Sequence, residues 1–204
     1  MIKCNVSVIG TVSRTAQMRT NKEGKSFLSF GVNVVIPAKS GINKTVEISV
    51  AKDCDQPDEA SRYPVGSRIS IDGVLTFHKK EENLYLNMSA TDIKTSGIAP
   101  DDSITGDIEF RGSLGSKIET KTDKKGNPFC VFSAYSSEKN GDSYDFTWVR
   151  FMHFGQSQQE WMQPKAGVNA KGDLQMSVYN DHLEIGCRVK EVSLWEKKPN
   201  PTEQ

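Results

Sequence analysis

The feature that most constrains this chain is that it repeats itself. Laid over one another, residues 1 to 98 and 104 to 198 pass through the same series of apolar segments and turn signals. Gly10 falls on Gly112, Gly24 on Gly126, Phe27 on Phe129 and Phe30 on Phe132, all at an offset of 102. A single offset shared by four such positions marks an internal duplication. It divides the 204 residues into two domains, each long enough to bury its own core.

Within each copy the apolar residues recur with period two. Val6, Val8 and Val12 share parity around Gly10, and Ile69, Ile71 and Gly73 alternate with Ser70 and Asp72. The first copy runs VSVIGTVS, RTAQMRTNKEGKSFLSFGVNVV, VEISVAKD, VGSRISIDGVLTF and NLYLNMSATDIK. The second runs DIEFRGSLGS, KIETKTDKKGNPFCVFSAYSS, DFTWVRFMHFG, AKGDLQMSV and HLEIGCRVKEVSLW. These are strands punctuated by Gly, Asn, Asp and Lys clusters. The only helical candidates are DEASRYP and SQQEWMQPK, each one or two turns, and both fall between the third and fourth strands. Five strands with that short excursion predict an all-β chain of two tandem OB-fold five-stranded barrels. The expected boundaries are residues 1–98 for the first OB domain, 99–105 for a linker within the Pro- and Asp-containing IAPDDSITG, 106–198 for the second OB domain and 199–204 for a flexible tail.

Hydrophobic residues at 36% and charged residues at 25% fit a folded chain with no membrane span. Lys and Arg number 26, as do Asp and Glu, so the whole molecule offers no long-range positive field to a polyanion, and any nucleic-acid site has to be built locally. Residues 1–100 hold 13 basic against 10 acidic side chains, residues 101–204 hold 13 against 16. The four cysteines, Cys4, Cys54, Cys130 and Cys187, match neither a zinc knuckle nor a disulfide scaffold, and read as buried thiols in a reducing compartment. The opening MIKCNVSVIG lacks the apolar run of a secretory signal. The expected location is cytoplasmic.

Candidate functional residues gather on the third strand of the second copy. Alternation along DFTWVRFMHFG places Trp148, Arg150, Met152 and Phe154 on one face and Val149, Phe151 and His153 on the other. Val149 and Phe151 suffice to fill a core, and an arginine between two aromatic rings suits a surface that stacks bases and meets phosphate. The hairpin segments KTDKKGN and RTNKEGK add Lys121, Lys124 and Lys125 in one copy and Arg14, Arg19, Lys22 and Lys25 in the other, as sequence-independent phosphate contacts. The first copy's VEISVAKD has no aromatic residue at these places, leaving Phe77 and Tyr85 as substitutes. Catalysis finds no support. His78, His153 and His182 are far apart, and no metal, P-loop or nucleophile-elbow spacing is present, so neither an enzyme nor a cofactor or metal is expected.

The run IGTVSRTAQMRTNKEGKSFLSFGVNV resembles the opening of bacterial and phage single-stranded DNA-binding proteins, and TWVRFMHFG resembles their third strand. The resemblance covers both repeats. It implies stacking and phosphate roles for Trp148, Arg150 and Phe154, and basic hairpin roles for Arg14 and Arg19. It also implies a homodimer, since four barrels commonly assemble in that family, and replication or recombination proteins as further partners. The chain departs from the family in its two-barrel length, in the ending PNPTEQ, and in carrying Ser116 and Lys121 where the first copy has Arg14 and Arg19. Residues and resemblance together predict non-sequence-specific binding of single-stranded DNA in replication, recombination or DNA transfer. The alternative is an OB-fold protein-interaction or assembly factor without nucleic-acid binding, with an RNA or junction binder as a third reading.

Overall fold

The computed structural model describes residues 1–38, 41–81 and 83–196; the expected tail at 199–204 lies outside the described residues. Among the described residues ten strands follow one another: β1 (Ile2–Thr20), β2 (Ser26–Ile36), β3 (Lys44–Asp53), β4 (Arg68–Lys80), β5 (Asn83–Lys94), β6 (Ser103–Thr122), β7 (Pro128–Asn140), β8 (Ser143–Phe154), β9 (Gly167–Tyr179) and β10 (His182–Leu194). The helical candidates diverge. Pro57 at the first position, with Asp58 and Glu59 behind it, supports a six-residue 3-10 turn over Pro57–Arg62. The stretch 157–165 lacks such an N-terminal proline and forms turns only. Among the described residues no helix is long and apolar enough to cross a membrane.

The expectation of two separate closed barrels is corrected by the hydrogen bonding. All ten strands belong to one sheet in the order β2-β3-β5-β4-β1-β6-β7-β8-β10-β9, with β1–β2 and β6–β9 as additional pairings. Each half is OB-like in its strand order, but its ring of five does not make a barrel. The parallel β3–β5 seam of the first ring spans only four residue pairs, from Ile48 with Leu86 to Ala51 with Ser89, and β6 begins at Ser103, inside the expected linker, with its start beside Asn5 of β1. Gly106 makes this approach possible, because at φ +150 a Cβ there would stand 2.1 Å from the Asn5 carbonyl oxygen.

The chain forms two compact units. The amino-terminal unit is Lys3–Asp107 with Leu174–Ile185, and the carboxy-terminal unit is Ile108–Asp173 with Met1–Ile2 and the described residues from 186 on. In the amino-terminal unit β1 changes partner part-way, pairing with β4 over Cys4–Thr11 and with β2 over Thr11–Thr20. Register shifts after Val12 and Arg14 supply the coiling that this needs. Inward-facing Leu28, Phe30, Val32, Ile48, Val50, Ile69 and Ile71 form its core. Segment 99–102 is tied to the same unit. Asp102 accepts from Val35 N at 2.8 Å and pairs with Arg68, whose Nη2 donates to Ala99 O at 2.9 Å.

The carboxy-terminal core centres on three rings. Phe151 stacks on Phe132 at 4.9 Å and meets Phe110 edge-on at 5.0 Å. Ile108, Leu114, Ala134, Val149 and Val168 are buried in the same unit. All four cysteines are buried and none is in a disulfide. Burial pushes the Cys187 thiol up to about 12.

Candidate nucleic-acid interface

The two faces of β8 have different fates. Thr147, Val149 and Phe151 are buried, whereas Tyr144, Phe146, Trp148 and Phe154 on the alternate face are 57%, 44%, 51% and 45% exposed. Arg150 stands in the same row, exposed between Trp148 and Phe154, with Met152 beside it. Side chains two apart along a strand are spaced by about 7 Å. Four aromatic rings and a guanidinium therefore line one open strip that takes no part in the core. Such a strip, flat and apolar with a cation in it, is able to stack bases of any identity.

Strand β7 supports the row from the side. Tyr135 pairs with Trp148, Ser133 with Arg150 and Phe129 with Phe154. The Tyr135 ring lies 4.9 Å from that of Trp148 and meets Phe146 edge-on at 5.4 Å, while Phe129 stacks on Phe154 at 5.4 Å. On the far side of β8, the Arg188 guanidinium of β10 lies 5.1 Å over the Phe154 ring. Trp148 rests over Gly115, where a Cβ would stand 3.0 Å from Cζ3 of the indole and 3.1 Å from the Ser133 carbonyl oxygen. The absence of a side chain at 115 is what lets the indole lie down on the sheet.

Basic residues frame one end. Lys121 pairs across the ladder with Phe129, and so lies two strands from Phe154. Its ammonium bonds Glu119 at 2.9 Å, which holds the Glu119 carboxyl below its usual range. The β6–β7 tip is a closed turn. The Asp123 carboxylate accepts from Lys125 N at 2.8 Å and Asn127 N at 2.9 Å, and Gly126 takes φ +87. This turn leaves the Lys124 and Lys125 side chains exposed, with no ion pair between them and any described residue. The amino-terminal unit repeats the device, with Asn21 accepting from Glu23 N and Lys25 N and Gly24 at φ +82.

In the amino-terminal unit the remaining expected residues have other company. Arg19 and Lys22 are exposed on the β1–β2 hairpin. Arg14 is bound through Nε to Glu47 at 3.0 Å and through Nη2 to Ser49 at 3.2 Å, and Lys25 pairs with Asp53. Of the substitutes for stacking, Phe77 is buried in the core and Tyr85 points outward opposite His78.

The sequence singled out Trp148, Arg150 and Phe154 for this row but not Tyr144 and Phe146, nor their neighbours Tyr135, Phe129 and Arg188. Tyr144 and Phe146 were within reach, since they share parity with Trp148 and lie just upstream. The contribution of β7 and β10 depended on cross-strand register, which alternation within one strand does not contain. Among the described residues no group of three His, Cys, Asp or Glu is placed to hold a metal ion.

No family model matches this sequence, and the comparison with curated proteins gives no match. Among solved structures the chain is similar to the single-stranded DNA-binding protein of Thermus aquaticus. A deletion mutant of that protein shows 16% identity and a TM-score of 0.46 over 100% of this chain and 98% of the other, and the wild type shows 13% and 0.45 over 99% and 96%. It is also similar to the mitochondrial single-stranded DNA-binding protein of S. cerevisiae, at 18% identity and a TM-score of 0.36, over 46% of this chain and 96% of that one.

Proposed function

We propose that the carboxy-terminal unit binds single-stranded DNA without sequence preference, in support of replication, recombination or DNA transfer. The observation that carries this reading is the exposed row Tyr144, Phe146, Trp148, Arg150 and Phe154 on β8, opposite a core already filled by Val149 and Phe151. Bases stack on Trp148, Phe146 and Phe154, with Tyr144 extending the row. Arg150, Arg188, Lys121, Lys124 and Lys125 meet phosphates. Every base has a π-face, so such a surface accepts any sequence, while a duplex keeps its faces stacked internally and is refused. Arg19 and Lys22 offer further phosphate contacts on the amino-terminal hairpin; Arg14 and Lys25 do so only on leaving Glu47 and Asp53.

A second reading has one observation in its favour, the acidic balance of residues 101–204 noted above. An apolar row in an acidic half also suits docking of a protein partner. Fluorescence anisotropy of labelled oligo-dT, with a duplex of equal length as control, separates the two across a salt series. Strand binding predicts affinity for dT well above that for duplex, and a log–log salt slope of about −3 for four or five phosphate contacts. Absence of dT binding at low salt contradicts the proposal and directs attention to the docking alternative.

A further inference from the structure

The two halves diverge most where they correspond most closely. At the offset that relates Phe27 to Phe129, β2 and β7 carry matching residues, and the cross-strand partners then identify equivalent positions on β3 and β8. Phe129 faces Phe154, and Phe27 faces Asp53. Ser133 faces Arg150, and Gly31 faces Ser49. Tyr135 faces Trp148, and Asn33 faces Glu47. The outward row of β8 is thus answered on β3 by Glu47, Ser49, Ala51 and Asp53, with carboxylates at the places of Trp148 and Phe154.

These carboxylates engage the basic residues of their own unit. Glu47 takes Arg14 Nε at 3.0 Å through one oxygen and the Ser13 hydroxyl at 2.9 Å through the other, and Ser49 takes Arg14 Nη2 at 3.2 Å. The guanidinium is laid over Gly31, where a Cβ would stand 2.8 Å from its Nε. At the other end of the strand Asp53 holds Lys25. All four charged side chains are well exposed, and exposed pairs of this kind add little to stability. Their consequence is electrostatic: Arg14 and Lys25 are engaged within the unit, and the positions that correspond to Trp148 and Phe154 present carboxylates to a phosphate backbone.

We infer that Glu47 and Asp53 close this face of the amino-terminal unit to a nucleic-acid strand, so that strand binding is confined to the carboxy-terminal unit. This inference rests on the function proposed above. Glu47 and Asp53 are specificity-determining residues that act by exclusion. Removing their charges releases Arg14 and Lys25 and exposes a neutral polar face on which a strand is held by phosphate contacts alone.

The test is the double substitution Glu47→Gln with Asp53→Asn in the full chain, titrated with oligo-dT across a salt series beside the wild type and Trp148→Ala. Circular dichroism confirms that each variant is folded. The inference predicts a log–log salt slope steeper by about 1.4, from two released cations at about 0.7 each on a single strand. It also predicts tighter binding at low salt, and loss of the added slope when Arg14→Ala and Lys25→Ala are introduced as well. An unchanged slope and affinity in the double variant, with Trp148→Ala still weakening binding, overturns the inference and leaves the proposed function standing. No dT binding by the wild type, or none lost in Trp148→Ala, overturns the proposed function and this inference with it.

Discussion

Trp148 does two things that are usually exclusive: it packs, against Tyr135 and over Gly115, and it stays half exposed. A ring held flat but open to solvent is pre-organised to receive a base with little loss of side-chain freedom. Trp148→Ala is expected to weaken oligo-dT binding by about 5- to 150-fold, the equivalent of the roughly 1–3 kcal/mol that one base–aromatic stack contributes. Its unfolding free energy should fall by about 1 kcal/mol, the packing of the indole on Tyr135 being lost. Gly115→Ala should lift the indole off the sheet. A shifted tryptophan emission together with weaker dT binding would show it, and unchanged emission would refute it. At this scale the sequence disclosed the outward placement of Trp148, Arg150 and Phe154, because an arginine between two aromatics makes a poor core. It did not disclose that Arg14 and Lys25 are held by Glu47 and Asp53, since ion pairs between strands distant in sequence depend on register.

Strand β8 has one buried face and one exposed aromatic face. Its inner face carries Phe151, fully buried between Phe110 and Phe132. Phe151→Ala should cost about 3–5 kcal/mol in chemical unfolding, a loss that Trp148→Ala, three residues away on the other face, does not share. The 3-10 turn of the amino-terminal unit is pinned by Glu59, which accepts from the Cys54 thiol at 2.9 Å and from Tyr63 Oη at 3.1 Å and pairs with Lys52. Those hydrogen bonds, that to the Cys54 thiol foremost, hold the Glu59 carboxyl down at about 2, against 4.5 for a free side chain. A carboxyl with a depressed folded-state pKa contributes stability above its unfolded value and loses it as pH falls through the folded one. The contribution of Glu59 is therefore complete above about 4.5 and fades towards about 2. Acid titration of stability should show a shallower fall over that window in Glu59→Gln than in wild type. An identical fall would place the acid sensitivity elsewhere. Strand number and order of events were legible from the period-two pattern, while the absence of a helix at 157–165 was not, since Ser157 and Glu160 have the spacing of a helix start and Pro164 leaves room for no more than a turn or two after it.

Across the whole chain, duplication was the strongest signal, and it located all ten strands. What it did not contain was closure. Two copies of a five-strand pattern suggest two separate barrels, yet β6 starts inside the expected linker and its backbone comes close enough to Asn5 that only a glycine fits at position 106, so the sheet runs on. Nor does a repeat imply equal roles. The two copies keep the same hairpin turn, with Asn21 and Asp123 accepting the same pair of backbone amides, but diverge on the sheet face beside it. On that face the aromatic row of β8 stands where β3 carries Glu47, Ser49, Ala51 and Asp53, and the proposed function assigns strand binding to the aromatic row alone. The direct measurement is photo-crosslinking of a halogenated oligo-dT to the intact protein, with the adducts mapped by mass spectrometry. Adducts on the peptides holding Phe146, Trp148 and Phe154, abolished by excess unlabelled dT and by high salt, are the predicted result. Specific adducts confined to β2 and β3 of the amino-terminal unit, or none at all, would contradict it.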